Sequence, residues 1–256
     1  MPQFITQSLV AGILASLACG LGALPLAIKQ IDLQKHTGIA YAAAGGLMFA
    51  ASVYNLILPG LTLSSAHIEL ADALPVILGI LLGAGFLSLT DNYLSPERLE
   101  QDSWKRFGNK AQLLIFIAMS VHSMPEGVAV GVGYSSDTVY SNDLGNYIAL
   151  AIAIHNIPEG LAVAVPLRAA GASIWKCFWA AFLTSLPQPI ADVPAAYVSW
   201  LFQPLMPILM GFAAGAMIFL VILEIIPEAL HETSPHKAAW AFSIGFCAMV
   251  LVQVLL

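Results

Sequence analysis

Two short stretches carry the reactive side chains of an otherwise apolar chain. His122-Ser-Met-Pro-Glu126-Gly127 and His155-Asn-Ile-Pro-Glu159-Gly160 are near copies of one hexapeptide. In each, imidazole and carboxylate are four residues apart, so on a helix they lie one turn apart on one face. Ionisable groups at the centre of a bilayer are costly, about 2.5–3.5 kcal/mol each on insertion scales, and therefore face cavities and take partners. Four in one layer need a shared partner, and a divalent cation supplies it. Two carboxylates offset its charge and two imidazoles complete a four-coordinate set of two nitrogens and two oxygens, which zinc accepts. A purely adhesive reading, in which the two His-Glu pairs only hold two helices together, stays open, although Ser or Gly would do that more cheaply.

The prolines act on the same spot. Pro125 and Pro158 lack an N–H and clash with the carbonyl four residues earlier, which releases the carbonyls of Val121 and Ile154. Freed carbonyls inside a membrane must find partners or line a wet cavity. A kink beside each His-Glu pair is thus expected to open a path, and the glycine that follows lets helices pack closely.

The elements that must position these groups follow from composition. Of 256 residues 59% are hydrophobic and 9% charged, with a mean hydropathy of +0.84, against roughly 25% charged in a soluble domain. An all-α integral membrane protein is expected. At about 20 apolar residues per crossing, breaking the chain at its charge clusters gives eight transmembrane segments: Phe4–Ile28, Thr37–Gly60, Ala73–Asp91, Ala111–Tyr134, Asn146–Leu167, Cys177–Phe202, Leu205–Leu230 and Ala238–Leu256. Met1 to Phe4 lacks a basic n-region, and the uncharged stretch that follows is longer than a signal-peptide core, so it counts as the first crossing. The connections are too short to hide a soluble domain, which leaves a single transmembrane domain over residues 1–256 to contain the function. Nothing resembles a nucleic-acid footprint. Cys19, Cys177 and Cys247 form no close pair and read as small buried hydrophobes.

All nine cationic residues, Lys29, Lys35, Arg98, Lys105, Arg106, Lys110, Arg168, Lys176 and Lys237, fall in odd-numbered connections. Short cytoplasmic loops collect Lys and Arg, so odd connections are expected inside and both termini outside. The opposite side carries His67, Glu69, Asp72, Asp137 and Asp143. Such a vestibule would concentrate cations, and simple exclusion of basic residues gives the same pattern. The chain also repeats itself. Gly46-Leu-Met-Phe is followed by Asn55 and Pro59, and Gly215-Ala-Met-Ile by Glu224 and Pro227, on segments that run in opposite directions. This suggests inverted repeats of three helices flanking a central pair, as in transporters with a midplane site. Asn55, Gln188, Asp192 and Glu224 each read either as pathway residues or as interhelical hydrogen-bonding groups; Gln188 and Asp192 share a face. Met48 alone reads as core packing.

With eight segments and both ends outside, the paired motifs closely resemble the ZIP family of metal-ion transporters (zinc-regulated and iron-regulated transporter-like proteins), nearest its bacterial GufA-like branch. The resemblance covers essentially the whole chain, including Ala50-Ala-Ser52, Leu58-Pro-Gly60, Pro187-Gln-Pro189 and Ile226-Pro-Glu228. It implies uptake of zinc into the cytoplasm, with iron, manganese, cobalt or cadmium as alternatives. It also implies a main site of His122, Glu126, His155 and Glu159 with Met48 as a softer ligand. Family members often hold a second metal at the positions occupied here by Ser123, Asn156 and Gln188. A neutral amide replaces the expected carboxylate, so a single metal is expected unless Asp192 supplies the missing charge. The resemblance makes Asn55 a gate near the outer mouth. His231 and His236 become exit ligands or, equally well, solvated loop histidines. The long histidine-rich loop of many relatives is missing, since Leu94 to Lys110 contains no histidine.

The working mechanism is alternating access: a hydrated cation reaches the acidic outer side, sheds water to the cluster and leaves inward as the central pair moves against the flanking repeats. No resident cofactor is expected; the metal is cargo, and the lipid bilayer is the other partner. A homodimer is among the open assemblies, and a bacterial source would put the protein in the inner membrane. The competing function is a membrane-embedded metalloenzyme using the same cluster, although neither HExxH nor the di-iron pattern of two Glu-x-x-His motifs with two more carboxylates occurs. A metal-gated sensor would lack any attached signalling domain.

Overall fold

Apolar segments of this length have no water to bond, so their backbones satisfy themselves as helices. The structure, a computed structural model, describes residues 2–27, 37–63, 68–94, 110–140 and 143–255. Among them every regular element is helical. Lys29, Lys35, Arg98, Lys105, Arg106 and His67, on which the expected sidedness partly rested, lie outside the described residues, as do Met1, Ile28 and Leu256.

The elements in order are α1 (Gln3–Leu21) with a 3-10 turn at Leu24–Ala27, α2 (Thr37–Ala51), α3 (Leu58–Thr62), α4 (Leu70–Leu94), α5 (Lys110–Tyr140), α6 (Leu144–Ala169), α7 (Ile174–Thr184), α8 (Pro187–Leu201), α9 (Met206–Leu220), α10 (Ile226–Glu232) and α11 (Pro235–Leu255). Six stretches are long and apolar enough to cross a membrane: Gln3–Ala27, Thr37–Thr62, Leu70–Tyr93, Leu144–Val165, Gln203–Glu232 and Pro235–Leu255. The remaining helical stretches are α5 and the α7–α8 pair.

Two of the six contain the same discontinuity. Between α2 and α3 the chain widens into a π turn over Ser52–Ile57, and between α9 and α10 it does so over Val221–Ile225. In both, the residue just before a proline donates its N–H five residues back, Leu58 to the Val53 carbonyl and Ile226 to the Val221 carbonyl. Pro59 and Pro227 have no N–H and would clash with the carbonyl four back; the wider turn absorbs that clash. Each broken helix also lies against a neighbour through the glycine that the sequence repeat singled out. A Cβ on Gly46 would strike the Phe242 carbonyl of α11, and one on Gly215 the Ile80 carbonyl of α4.

Two boundaries differ from those that hydropathy suggests. The expected continuous sixth segment is broken at Ser185–Leu186, with α7 ending at Thr184 and Pro187 starting α8. Pro187 at the first helical position has no donor to lose, so a new helix begins there at little cost. Helix α5 continues past Tyr134 to Tyr140 because its polar end is satisfied internally. Ser136 and Thr138 donate their hydroxyls to the Gly133 and Ser135 carbonyls, and Ser135 pairs with Ser199 at 2.6 Å. Helix α5 packs tightly on α8, α1 on α6, α2 on α11 and α4 on α9.

Candidate metal site

Both hexapeptides stay helical through their prolines, one on α5 and one on α6. The glycine that closes each copy sets what lies behind it. A Cβ on Gly127 would collide with the Gln188 carbonyl at the α7–α8 break, and one on Gly160 with the Cys19 carbonyl of α1. Glu126 and Glu159 are therefore held by backbone pressed directly against the neighbouring residue.

Three of the four motif groups converge. Ligand atoms of Glu126, His155 and Glu159 all lie within 4.8 Å of one another, and all three residues are buried. His155 Nε2 is 3.1 Å from Glu126 Oε1, a contact between the two helices. Glu126 Oε2 and Glu159 Oε2 have no hydrogen-bond partner among the described residues. Leaving an uncompensated charge in such a place costs about 3–5 kcal/mol, so two buried carboxylates, each with an unbonded oxygen and gathered with an imidazole, fit a cation and fit an interhelical clasp badly. The donor set of one imidazole and two carboxylates suits zinc and other first-row dications.

The fourth group, His122, is turned to another partner. Its Nε2 lies 3.3 Å from Glu224 Oε1, on the π turn that follows α9. Sequence spacing put His122 with Glu126, and a contact to a helix so distant in the chain carries no local signal. Met48 is buried on α2 and, with Glu159 and Glu224, lines a cavity of about 830 Å³. Glu228, His231 and Glu232 line the same cavity, as do Thr37 and Tyr41 at the start of α2. Glu228, named in the sequence only as part of Ile226-Pro-Glu228, and Glu232 were not read as site residues, although Glu224, Glu228 and Glu232 share the four-residue spacing of one helix face. His231 is exposed and 3.4 Å from Glu232; His236, at the start of α11, is exposed and is not among the lining residues.

The residues of the second position form a neutral hydrogen-bonded layer beside the first. Asn156 donates its amide to Gln188 Oε1 (3.1 Å) and to the Ala15 carbonyl (3.0 Å), and Ser185 donates to the same Gln188 oxygen (3.0 Å). Ser123 donates to the Thr184 carbonyl at 3.2 Å. Asp192 stands apart and accepts the Ser8 hydroxyl. Asn55 is buried on the π turn after α2, and neither atom of its amide has a hydrogen-bond partner among the described residues.

Comparison with known proteins gives a consistent picture. The profile of the family described as ZIP Zinc transporter matches residues 97–253. GufA of Myxococcus xanthus, called a zinc transporter, is 32% identical over 250 residues, covering 96% of this chain and 97% of that protein. Human zinc transporter ZIP11 is 41% identical over 155 residues, 59% of this chain and 44% of its own. A putative zinc transporter of Arabidopsis thaliana is 38% identical over 240 residues, 93% of this chain and 37% of its own. The chain thus spans less than half the length of the human and plant relatives.

Proposed function

This chain belongs to the ZIP zinc transporter family, and from that premise we propose that it carries a divalent transition metal, zinc first among the candidates, across a membrane into the cytoplasm. The observation that carries the reading is the buried meeting of Glu126, His155 and Glu159 with carboxylate oxygens left unbonded. His122 completes the set by leaving Glu224, and Met48 adds a softer donor on the approach from the cavity.

In this reading α5 and the α7–α8 pair cross with the six long apolar stretches, giving eight crossings with both termini outside. The matching π turns and matching glycine contacts of α2 and α9 support inverted three-helix repeats around α5 and α6. The cavity then opens to the cytoplasm, because it reaches Thr37 and Glu232, the ends that face odd-numbered connections. Glu224, Glu228 and Glu232, with His231, mark the way out, and buried Asn55 closes the way in. With Gln188 already accepting two hydrogen bonds, one metal per site is the expected occupancy. Iron, manganese, cobalt and cadmium are competing cargoes, since His and carboxylate ligands suit all of them. A bacterial inner membrane is the expected location, and a homodimer is compatible with the largely lipid-facing α4 and α11. A cavity leading away from the cluster supports carriage over the membrane-embedded metalloenzyme.

The test is uptake of radioactive zinc into proteoliposomes, with competing metals, by the wild type and by His122→Ala/His155→Ala. Loss of uptake in the double variant is expected. Unchanged uptake would refute the assignment.

A further inference from the structure

Asp137 joins the two helices that carry the hexapeptides. It lies near the end of α5, half-buried, and its Oδ1 and Oδ2 both accept the Gly145 N–H of α6, at 3.1 Å each. Gly145 is the second residue of α6 and so among the first four, whose N–H groups find no partner within their own helix. A carboxylate from the preceding helix takes that place. One turn nearer the site, Tyr134 donates its hydroxyl to Asn146 Oδ1 at 2.9 Å, a second polar link between the same two helices. Only glycine fits between them, because a Cβ on Gly145 would come within 2.7 Å of both Asp137 Oδ2 and the Tyr134 ring.

These links lie in register with the metal site. From Asp137 to Glu126 is eleven residues along α5, and from Gly145 to His155 is ten along α6. At a rise of about 1.5 Å per residue those steps span about 16 Å and about 15 Å. The helices run antiparallel, so the two steps end level, where His155 Nε2 meets Glu126 Oε1 at 3.1 Å. Four residues further along each helix come His122 and Glu159, again level with one another. No proline lies between the links and the site, since Pro125 and Pro158 both fall beyond the Glu126–His155 pair. Neither stretch thus contains the residue that frees a carbonyl and bends a helix, and a shift at one end reaches the other.

A connection of three residues brings the facing ends of α5 and α6 together. Alone, it leaves each helix free to turn about its axis and to slide by part of a turn. We infer that Asp137, supported by Tyr134, is a positioning residue for the metal: it clamps α5 to α6 in the register that sets the ligands of the two hexapeptides opposite one another. Ligand geometry must hold within about 0.5 Å, whereas a slip of one residue moves a ligand by about 1.5 Å. The role at the metal rests on the transport reading above; the clamp itself does not.

Three variants of the purified full chain separate the two. Asp137→Ala removes the acceptor, Asp137→Asn keeps one, and Thr138→Ala removes a bond that stays within α5, from the Thr138 hydroxyl to the Ser135 carbonyl. Cobalt is the metal probe, because its visible absorption reports the geometry of its ligands as well as its affinity. Asp137→Ala is expected to bind cobalt about fivefold more weakly or worse and to give an altered spectrum at saturation. Asp137→Asn and Thr138→Ala are expected to match the wild type in both. A general loss of stability would lower the melting temperature and leave the saturated spectrum unchanged. Unaltered affinity and spectrum in Asp137→Ala, or the same losses in Thr138→Ala, overturn the inference. Amide hydrogen exchange without metal tests the clamp separately, with faster exchange expected at Gly145 in Asp137→Ala and not in Asp137→Asn. That result with no cobalt bound by any variant keeps the clamp and refutes the transport reading; exchange at Gly145 unaltered in Asp137→Ala overturns the clamp.

Discussion

A methyl group added at Gly160 meets the backbone of α1. The Cys19 carbonyl carbon lies 2.6 Å from the ideal Cβ position, with the carbonyl oxygen closer still, whereas ordinary contact begins at 3.4 Å. The two helices must therefore part by about 0.8 Å or more, and because backbone cannot swing aside the cost lies near the top of the roughly 1–3 kcal/mol range for overpacking. Gly85 on α4 supplies the internal control, since a Cβ there meets nothing within 4 Å; alanine in its place gains roughly 0.5–1 kcal/mol of helix propensity. At about 2–4 °C per kcal/mol for a chain of this size, Gly160→Ala is expected to melt roughly 6–12 °C below wild type in detergent and Gly85→Ala at or above it. Gly160→Ala is also expected to weaken zinc binding about tenfold or more, because the displaced residue neighbours Glu159, which must stay within fractions of an ångström of its place. The assay is a thermal melt together with zinc titration of the same samples. Equal melting temperatures and equal zinc affinities for Gly160→Ala and Gly85→Ala would refute the claim that backbone contact behind the motif holds the site.

Other outcomes follow from the same geometry. Glu126→Gln removes a buried carboxylate of the proposed site and is expected to weaken zinc binding by more than the ~10–100-fold typical of an outer-shell partner, read by competition with a zinc chelator. Asn156→Ala breaks the bond to Gln188 and is expected to cost about 1–3 kcal/mol of stability while elemental analysis still finds one zinc per chain; two tightly held ions in the wild type would contradict the neutral layer. Zinc binding is expected to weaken as pH falls, because ligating imidazoles must be neutral and carboxylates ionised; titration at descending pH that left the apparent Kd unchanged would contradict the ligand set.

Much of this was legible in the chain because the key signals are local. The duplicated hexapeptides placed His and Glu on two helices, and the Gly-Met and Pro pattern around Asn55 and Glu224 marked the two segments that turn out to share a π turn. The turn type itself was not legible, since it depends on how the helix accommodates the clash at Pro59 and Pro227. The break at Ser185–Leu186 carries no charge, and the segments were divided at charges; Pro187 was the available signal. The polar end of α5 read as a loop because Ser135 finds Ser199 only in the folded bundle. The turning of His122 to Glu224 and of Asp192 to Ser8 likewise depends on helices far apart in sequence.

The most direct test of the proposed metal site is anomalous diffraction at the zinc edge from crystals of the zinc-loaded protein. One strong peak is expected between Glu126, His155 and Glu159, with the His122 ring moved off Glu224 to meet it. A map without density there, or one with zinc elsewhere while His155 still touches Glu126 and His122 still touches Glu224, would contradict the proposed site.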